Sequence, residues 1–238
     1  EFRSQNEDTK WRTTWDWIIF GGSLAPALLW GVTVGNLIRG IAIDANMNYW
    51  GGLFPLLNPY SILGGLVFVT LFTMHGANCL SLKTEGIIKT KSEEVGSKAW
   101  IAAIVLTVAF VVWSFFATDI LTKSGVNGLI PAILAAVTLL ASGYFMHAKK
   151  HGTAFIMGSL TIIFATIMVF VGLFPRILVS TINPDFSLDI WNAAATPYTL
   201  KIMTIVAIIF VPVLLAYQIW TYWVFRKRVT IDRDTLIY

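Results

Sequence analysis

The alternation of apolar and polar positions divides the chain into six apolar stretches joined by polar segments. A helix that spans a bilayer needs about 20 mainly apolar residues, whereas a barrel strand needs about ten with alternating polarity. None of the six stretches contains Asp, Glu, Lys or Arg, and none alternates. The pattern predicts an all-α, polytopic transmembrane bundle that forms one domain over residues 1–238. The six predicted spans are 17–38, 60–82, 99–118, 128–146, 154–174 and 202–225.

Composition supports a membrane location. Hydrophobic residues make up 56% of the chain and charged residues only 13%, whereas a soluble domain carries about 25% charged residues. A net charge of +4 could suggest a nucleic-acid partner. We predict none, because the basic residues lie in short clusters between the apolar stretches.

The distribution of Lys and Arg predicts the orientation, because cytoplasmic connections are enriched in both residues. With a cytoplasmic N-terminus, the inside segments hold thirteen of the 17 Lys and Arg residues and the outside segments hold four. We therefore predict six crossings with both chain ends in the cytoplasm. The long outer connections, 39–59 and 175–201, carry the aromatic residues expected at a membrane interface. These are Trp50, Phe54, Trp191 and Tyr198, and Tyr60 at the start of the following span is assigned to the same interface.

Few residues in the chain are of the types that catalyse reactions or bind haem or metal ions. His147 and His151 flank a Lys pair at a span boundary, where a solvated face is the expected role. His75 lies within the second span; it could be a haem ligand, but packing or hydrogen bonding between helices is the favoured interpretation. No Cys/His cluster has metal-binding spacing. We predict no catalytic, cofactor-binding or metal residues in this chain.

Gly31 and Gly35 form a G-x-x-x-G pattern, which lets two helix backbones approach closely. The pattern is compatible with packing within the chain or with a face for another membrane subunit. The predicted spans lack charged residues, which counts against an ion-coupled transporter. The residues alone therefore favour a scaffold or partner subunit over a self-sufficient enzyme.

Three segments resemble subunit II of the bacterial cytochrome bd quinol oxidases. They are WRTTWDWIIFGGSLAPALLWGVTVGNLIRG at 11–40, LLNPYSILGGLVFVTLFTMHGANCLSLKTEG at 56–86, and LDIWNAAATPYTLKIMTIVAIIFVPVLLAYQIWTYWVF at 188–225. Residues 90–175 match by hydropathy alone. The family's subunit has nine spans, so the resemblance implies that the chain corresponds to the last six.

The resemblance implies a function in a complex. In that family a haem-bearing subunit I holds the b-type and d-type haems and the quinol site, and subunit II is its non-haem structural partner. The complex oxidises quinol, reduces dioxygen to water and generates proton motive force across the bacterial plasma membrane. A small single-span subunit, membrane lipid and quinone are further expected partners.

Few individual residues of this chain match positions to which the family assigns a role. Glu1 matches an acidic position at the cytoplasmic mouth of the proton path, although a solvated loop carboxylate is the simpler interpretation. Trp15, Asn36 and Asn58 match motif positions and are expected to be structural. The alternative function is a membrane transporter or permease subunit that uses the six spans as a helical bundle.

Overall fold

A computed structural model describes residues 2–123 and 128–226. Over these residues the chain is mostly helical, and six of the helices are long and apolar enough to cross a membrane. The predicted all-α transmembrane class is confirmed. The long helices are α1 (Thr9–Arg39), α3 (Pro59–Lys83), α4 (Gly86–Ala117), α5 (Leu129–His147), α6 (His151–Leu173) and α7 (Pro197–Val224); α2 is a single turn, Leu53–Leu56.

Two helices begin well before their apolar segments. α1 begins at Thr9, where the Asp8 carboxylate caps the helix by accepting a hydrogen bond from the Lys10 N–H. α4 begins at Gly86, thirteen residues before the predicted span at 99. The sequence rule counts apolar residues and so detects only the part of a helix suited to lipid. Polar residues continue the same helix beyond it.

A small sheet departs from the all-α prediction. β1 (Arg176–Leu178) pairs antiparallel with β2 (Leu188–Asp189) in the connection between α6 and α7. A bridge between Ile41 and Ser180 ties this connection to the one that follows α1. The two long connections therefore form one layer, and we call this side of the bundle the hairpin end.

The other side of the bundle, here called the Lys-rich end, contains the α3–α4 turn and the α5–α6 turn. α3 is central and packs against α1, α4 and α6, while α5 packs mainly on α6. The buried core lies between these five helices. Its largest members include Tyr60, Met74, Phe110, Leu139 and Ile120.

Candidate functional site

A close contact between helix backbones joins α1 to α3. A Cβ added at Gly31 would lie 2.6 Å from the Gly64 carbonyl oxygen and 2.7 Å from the Gly65 Cα. A Cβ added at Gly35 would lie 2.8 Å from the Ser61 Cα. The G-x-x-x-G pattern therefore serves packing within the chain, one of the two roles that the sequence left open.

A buried amide, Asn36, and a partly buried one, Asn58, close the same contact at the hairpin end. The Asn36 amide donates to the carbonyls of Val32, at 2.9 Å, and Leu56, at 2.8 Å. Its oxygen accepts a hydrogen bond of 3.0 Å from Asn58 Nδ2. Asn58 also caps α3 by accepting from the Ser61 N–H. The structural role predicted for both asparagines is confirmed by these bonds.

We expect Asn36→Leu to lower the free energy of unfolding by roughly 1–2 kcal/mol, because it removes the hydrogen bonds that the Asn36 side chain makes with the Leu56 carbonyl and with Asn58. Thermal unfolding of the purified complex in mild detergent measures the change. Thr33→Val is the matched control, since the exposed Thr33 hydroxyl bonds only the Leu29 carbonyl of its own helix. Equal stability of the two variants would contradict the structural role of Asn36.

Asp44 organises the connection that follows α1. Its carboxylate accepts hydrogen bonds from the Asn48 and Asn46 N–H groups and from Trp50 Nε1, at 2.8–2.9 Å. The bond from Asn48 does most to hold the pKa of Asp44 below its ordinary value; partial desolvation opposes it, and the bonds from Asn46 and Trp50 add to it. The deprotonated carboxylate thus stabilises the folded connection.

This pKa shift predicts that the connection loosens in acid. The pKa of Asp44 is lower in the folded chain, so its stabilisation is complete above the unfolded pKa, about 3.9. It is lost as the pH falls through the lower folded pKa. We expect quenching of Trp50 fluorescence by iodide, obtained by difference from Trp50→Phe, to rise over this range. In Asp44→Asn the pH dependence should disappear; an unchanged pH profile would contradict this role.

A charged cluster links three elements at the Lys-rich end. Glu93 of α4 binds Lys149 of the α5–α6 turn at 2.5 Å and His151 Nε2 at 3.0 Å. His151 is only 7% exposed. His147, four residues earlier in the chain, contacts Ser97 and Trp100 of α4. The solvated face predicted for both histidines is wrong for His151, because α4 continues past its apolar segment and covers it.

The remaining sequence candidates have packing positions. The His75 ring stacks on Phe155 of α6, with 4.5 Å between ring centroids, which is a packing role of the kind predicted. Trp15 is half-buried and stacks on Phe2. Tyr60 was expected at the membrane interface, but this prediction is wrong because its side chain is only 2% exposed. Glu1 lies outside the described residues.

A long helix surface is uncovered. No residue of α7 is buried, and in α1 no described residue before Gly31 is buried. α7 nevertheless returns to the Lys-rich end, where Lys83 Nζ donates a 3.0 Å hydrogen bond to the Phe225 carbonyl. Nothing in the hydropathy of the sequence separates these surfaces from the packed helices. α7 is as apolar as the packed α6, and α1 is about as apolar as the packed α3.

An apolar cavity of about 570 Å³ opens between the helices of the packed bundle. Its walls come from α1, α3, α4, α5 and α6, and include Trp30, Phe68, Phe72, Phe110 and Leu129. Thr107 and Thr161 are among its few polar residues. Within the described residues no three His, Cys, Asp or Glu side chains gather to hold a metal ion. The cavity can receive an apolar chain.

Comparisons with known proteins identify relatives of the chain. A family model described as cytochrome bd terminal oxidase subunit II matches residues 1–225. Cytochrome bd ubiquinol oxidase subunit 2 of Bacillus subtilis (strain 168) is 35% identical over 230 residues, covering 97% of this chain and 68% of the relative. Cytochrome bd-I ubiquinol oxidase subunit 2 of Escherichia coli (strain K12) is 30% identical, covering 99% and 72%. A probable cytochrome oxidase subunit 2 of Haemophilus influenzae is 31% identical, covering 93% and 67%.

Proposed function

The chain belongs to the cytochrome bd terminal oxidase subunit II family, and from this premise we propose that it is the non-haem subunit of a quinol oxidase. The complex oxidises quinol, reduces dioxygen to water and generates proton motive force. Haems of the b and d types reside in the partner subunit, and this chain has no catalytic activity of its own. The relatives named as ubiquinol oxidase subunits support the quinol as electron donor.

The uncovered surface of α7 and of the first part of α1 is the observation that best supports a role as the partner of another membrane subunit. A helix of 28 residues without one buried side chain contributes little to the stability of its own bundle. Membrane helices associate through close van der Waals packing and interhelical hydrogen bonds. Protein of the same complex, including the haem-bearing subunit, covers this surface, and the packed helices α3–α6 serve as its support.

The chain also contributes to proton access from the cytoplasm. In the proposed orientation both chain ends and the Lys-rich end face the cytoplasm, in agreement with the excess of Lys and Arg on that side. Glu1 is the proposed acidic group at the cytoplasmic mouth of the proton path.

The apolar cavity accommodates the acyl chain of a lipid or the isoprenoid chain of a quinone, since its lining offers almost only hydrocarbon. A small single-span subunit is a further proposed partner.

The charge distribution favours this function over a transporter. Among the described residues no Asp, Glu, Lys or Arg is buried, whereas an ion-coupled transporter commonly holds an ionisable residue inside the bundle. The test is oxygen consumption with a reduced quinol by membranes that contain the chain and its partner. Deleting the gene for this chain should abolish the activity, and restoring it should recover the activity. Unchanged quinol oxidation after deletion would contradict the proposal, and substrate uptake by vesicles containing the chain alone would favour the transporter.

A further inference from the structure

Two buried polar atoms of α3 have no hydrogen-bond partner among the described residues. They are Nδ1 of His75 and Oδ1 of Asn78. The Asn78 side chain is 1% exposed, so neither lipid nor bulk water reaches its oxygen. Because a buried polar group without a partner is costly, such groups in folded proteins are generally bonded to protein or to ordered water.

The two atoms belong to one face of α3, since residues three positions apart are neighbours on a helix. The His75 ring is held in place by Phe155, whose plane lies at 21° to it. A Cβ added at Gly158 of α6 would lie 3.0 Å from His75 Nδ1 and 3.6 Å from the Ser142 hydroxyl oxygen. His75 Nδ1 and the Ser142 hydroxyl therefore face the same bare stretch of α6 backbone at Gly158.

Ser142 of α5 completes the group. Its hydroxyl donates a 3.0 Å hydrogen bond to the Ala154 carbonyl of α6 and lies 3.4 Å from Asn78 Nδ2. The hydroxyl hydrogen is thus already used, and a lone pair of the oxygen remains available. The His75 imidazole nitrogen and the Ser142 hydroxyl oxygen thus lie next to Gly158 of α6, and the Asn78 amide lies beside Ser142 on the same side of α3 as His75.

We propose that this group, which we call the α3–α5–α6 polar site, binds one water molecule. Buried water typically makes about three hydrogen bonds to polar groups that would otherwise be unsatisfied. The water molecule donates one of its hydrogens to Asn78 Oδ1, an amide oxygen that can only accept a hydrogen bond. His75 Nδ1 either accepts the second hydrogen or donates to the water oxygen, depending on the imidazole tautomer. The site consists of neutral dipoles with few oxygens, which suits water better than a Ca²⁺ or Mg²⁺ ion.

The water would join α3 to α5 beside the α6 backbone, because its second hydrogen can be donated to the remaining lone pair of Ser142 when His75 Nδ1 is itself a donor. It lies near the Lys-rich end, because Asn78 is five residues from the end of α3 at Lys83 and Ser142 is five residues from the end of α5 at His147. The inference concerns only the packing of this chain, so it does not depend on the proposed oxidase function.

The test is a cryo-EM map of the intact complex in lipid nanodiscs, at a resolution that shows ordered water. We expect a density peak about 2.6–3.2 Å from both His75 Nδ1 and Asn78 Oδ1. The proposal is overturned if no peak appears while other buried waters are visible. It is also overturned if both side chains are rotated so that these atoms bond protein groups.

Two variants and a matched control sharpen the test. Gly158→Ala would place a methyl group against His75 Nδ1 and should displace the water, whereas Gly76→Ala, which meets nothing within 4 Å, should leave the peak unchanged. Asn78→Leu removes the acceptor and should also abolish the peak, which keeps the proposal testable if Gly158→Ala fails to fold. A peak that persists in either Gly158→Ala or Asn78→Leu would contradict the site.

Discussion

Replacing Gly31 with alanine is expected to lower the free energy of unfolding by roughly 2–3 kcal/mol, the upper part of the range for an overpacked contact. The added methyl group would meet backbone atoms of Gly64 and Gly65 at 2.6 and 2.7 Å, so no flexible side chain can move away. α1 must then shift relative to α3. That shift also strains the bonds of Asn36 at the hairpin end.

Gly22→Ala is the matched control for this prediction, because it lies on the same helix and its added methyl group meets nothing within 4 Å. The measurement is unfolding of the purified complex in detergent, together with the amount of complex recovered from membranes. Gly31→Ala should lower both quantities and Gly22→Ala neither. If both variants behave like the wild-type protein, the close α1–α3 contact is wrong.

Truncation of Tyr60 is the second change with a large expected effect. Its ring lies 4.9 Å from Phe110 and 5.8 Å from Trp113, centroid to centroid, and its hydroxyl is 2.7 Å from Ser114 Oγ. Ser114 donates its own hydrogen to the Phe110 carbonyl, so Tyr60 is the donor in this pair. The side chain therefore joins α3 to α4 by packing and by one hydrogen bond.

We expect Tyr60→Ala to cost about 3 kcal/mol, the lower end of the range for a buried aromatic residue, since lipid reduces the hydrophobic contribution. Tyr60→Phe keeps the ring and loses only the interhelical hydrogen bond, at a cost of about 0.6 kcal/mol. Unfolding in detergent compares the two variants. A loss in Tyr60→Phe as large as that in Tyr60→Ala would mean that the hydroxyl, and not the packing, holds the helices together.

The number and approximate position of the spans could be predicted because lipid imposes a length and a composition on each helix. The predicted span 60–82 differs by one residue at each end from Pro59–Lys83. The polar start of α4 could not be predicted in this way, since Glu93 and its neighbours satisfy no hydropathy rule. Glu93 contacts Lys149 and His151 at the α5–α6 turn, and hydropathy does not encode such a contact.

The contacts between helices were less predictable. The close approach at Gly31 followed from a recognised small-residue pattern, but the partner helix did not. The burial of Tyr60 had no signal, because a tyrosine at the edge of an apolar segment suits an interface and a core equally well. His151 is a similar case. Its burial under α4 depends on a contact between residues 58 positions apart in the chain.

The central claim is that this chain acts as the non-haem partner of a haem-bearing oxidase subunit. The most direct measurement is a dithionite-reduced minus oxidised spectrum of the affinity-tagged chain, purified from membranes in mild detergent with and without the gene for the partner. The account predicts a second large subunit and b-type and d-type haem bands when the partner is present, and neither when it is absent. Haem bands that persist without the partner, or a haem-free preparation from cells that contain it, would contradict the claim.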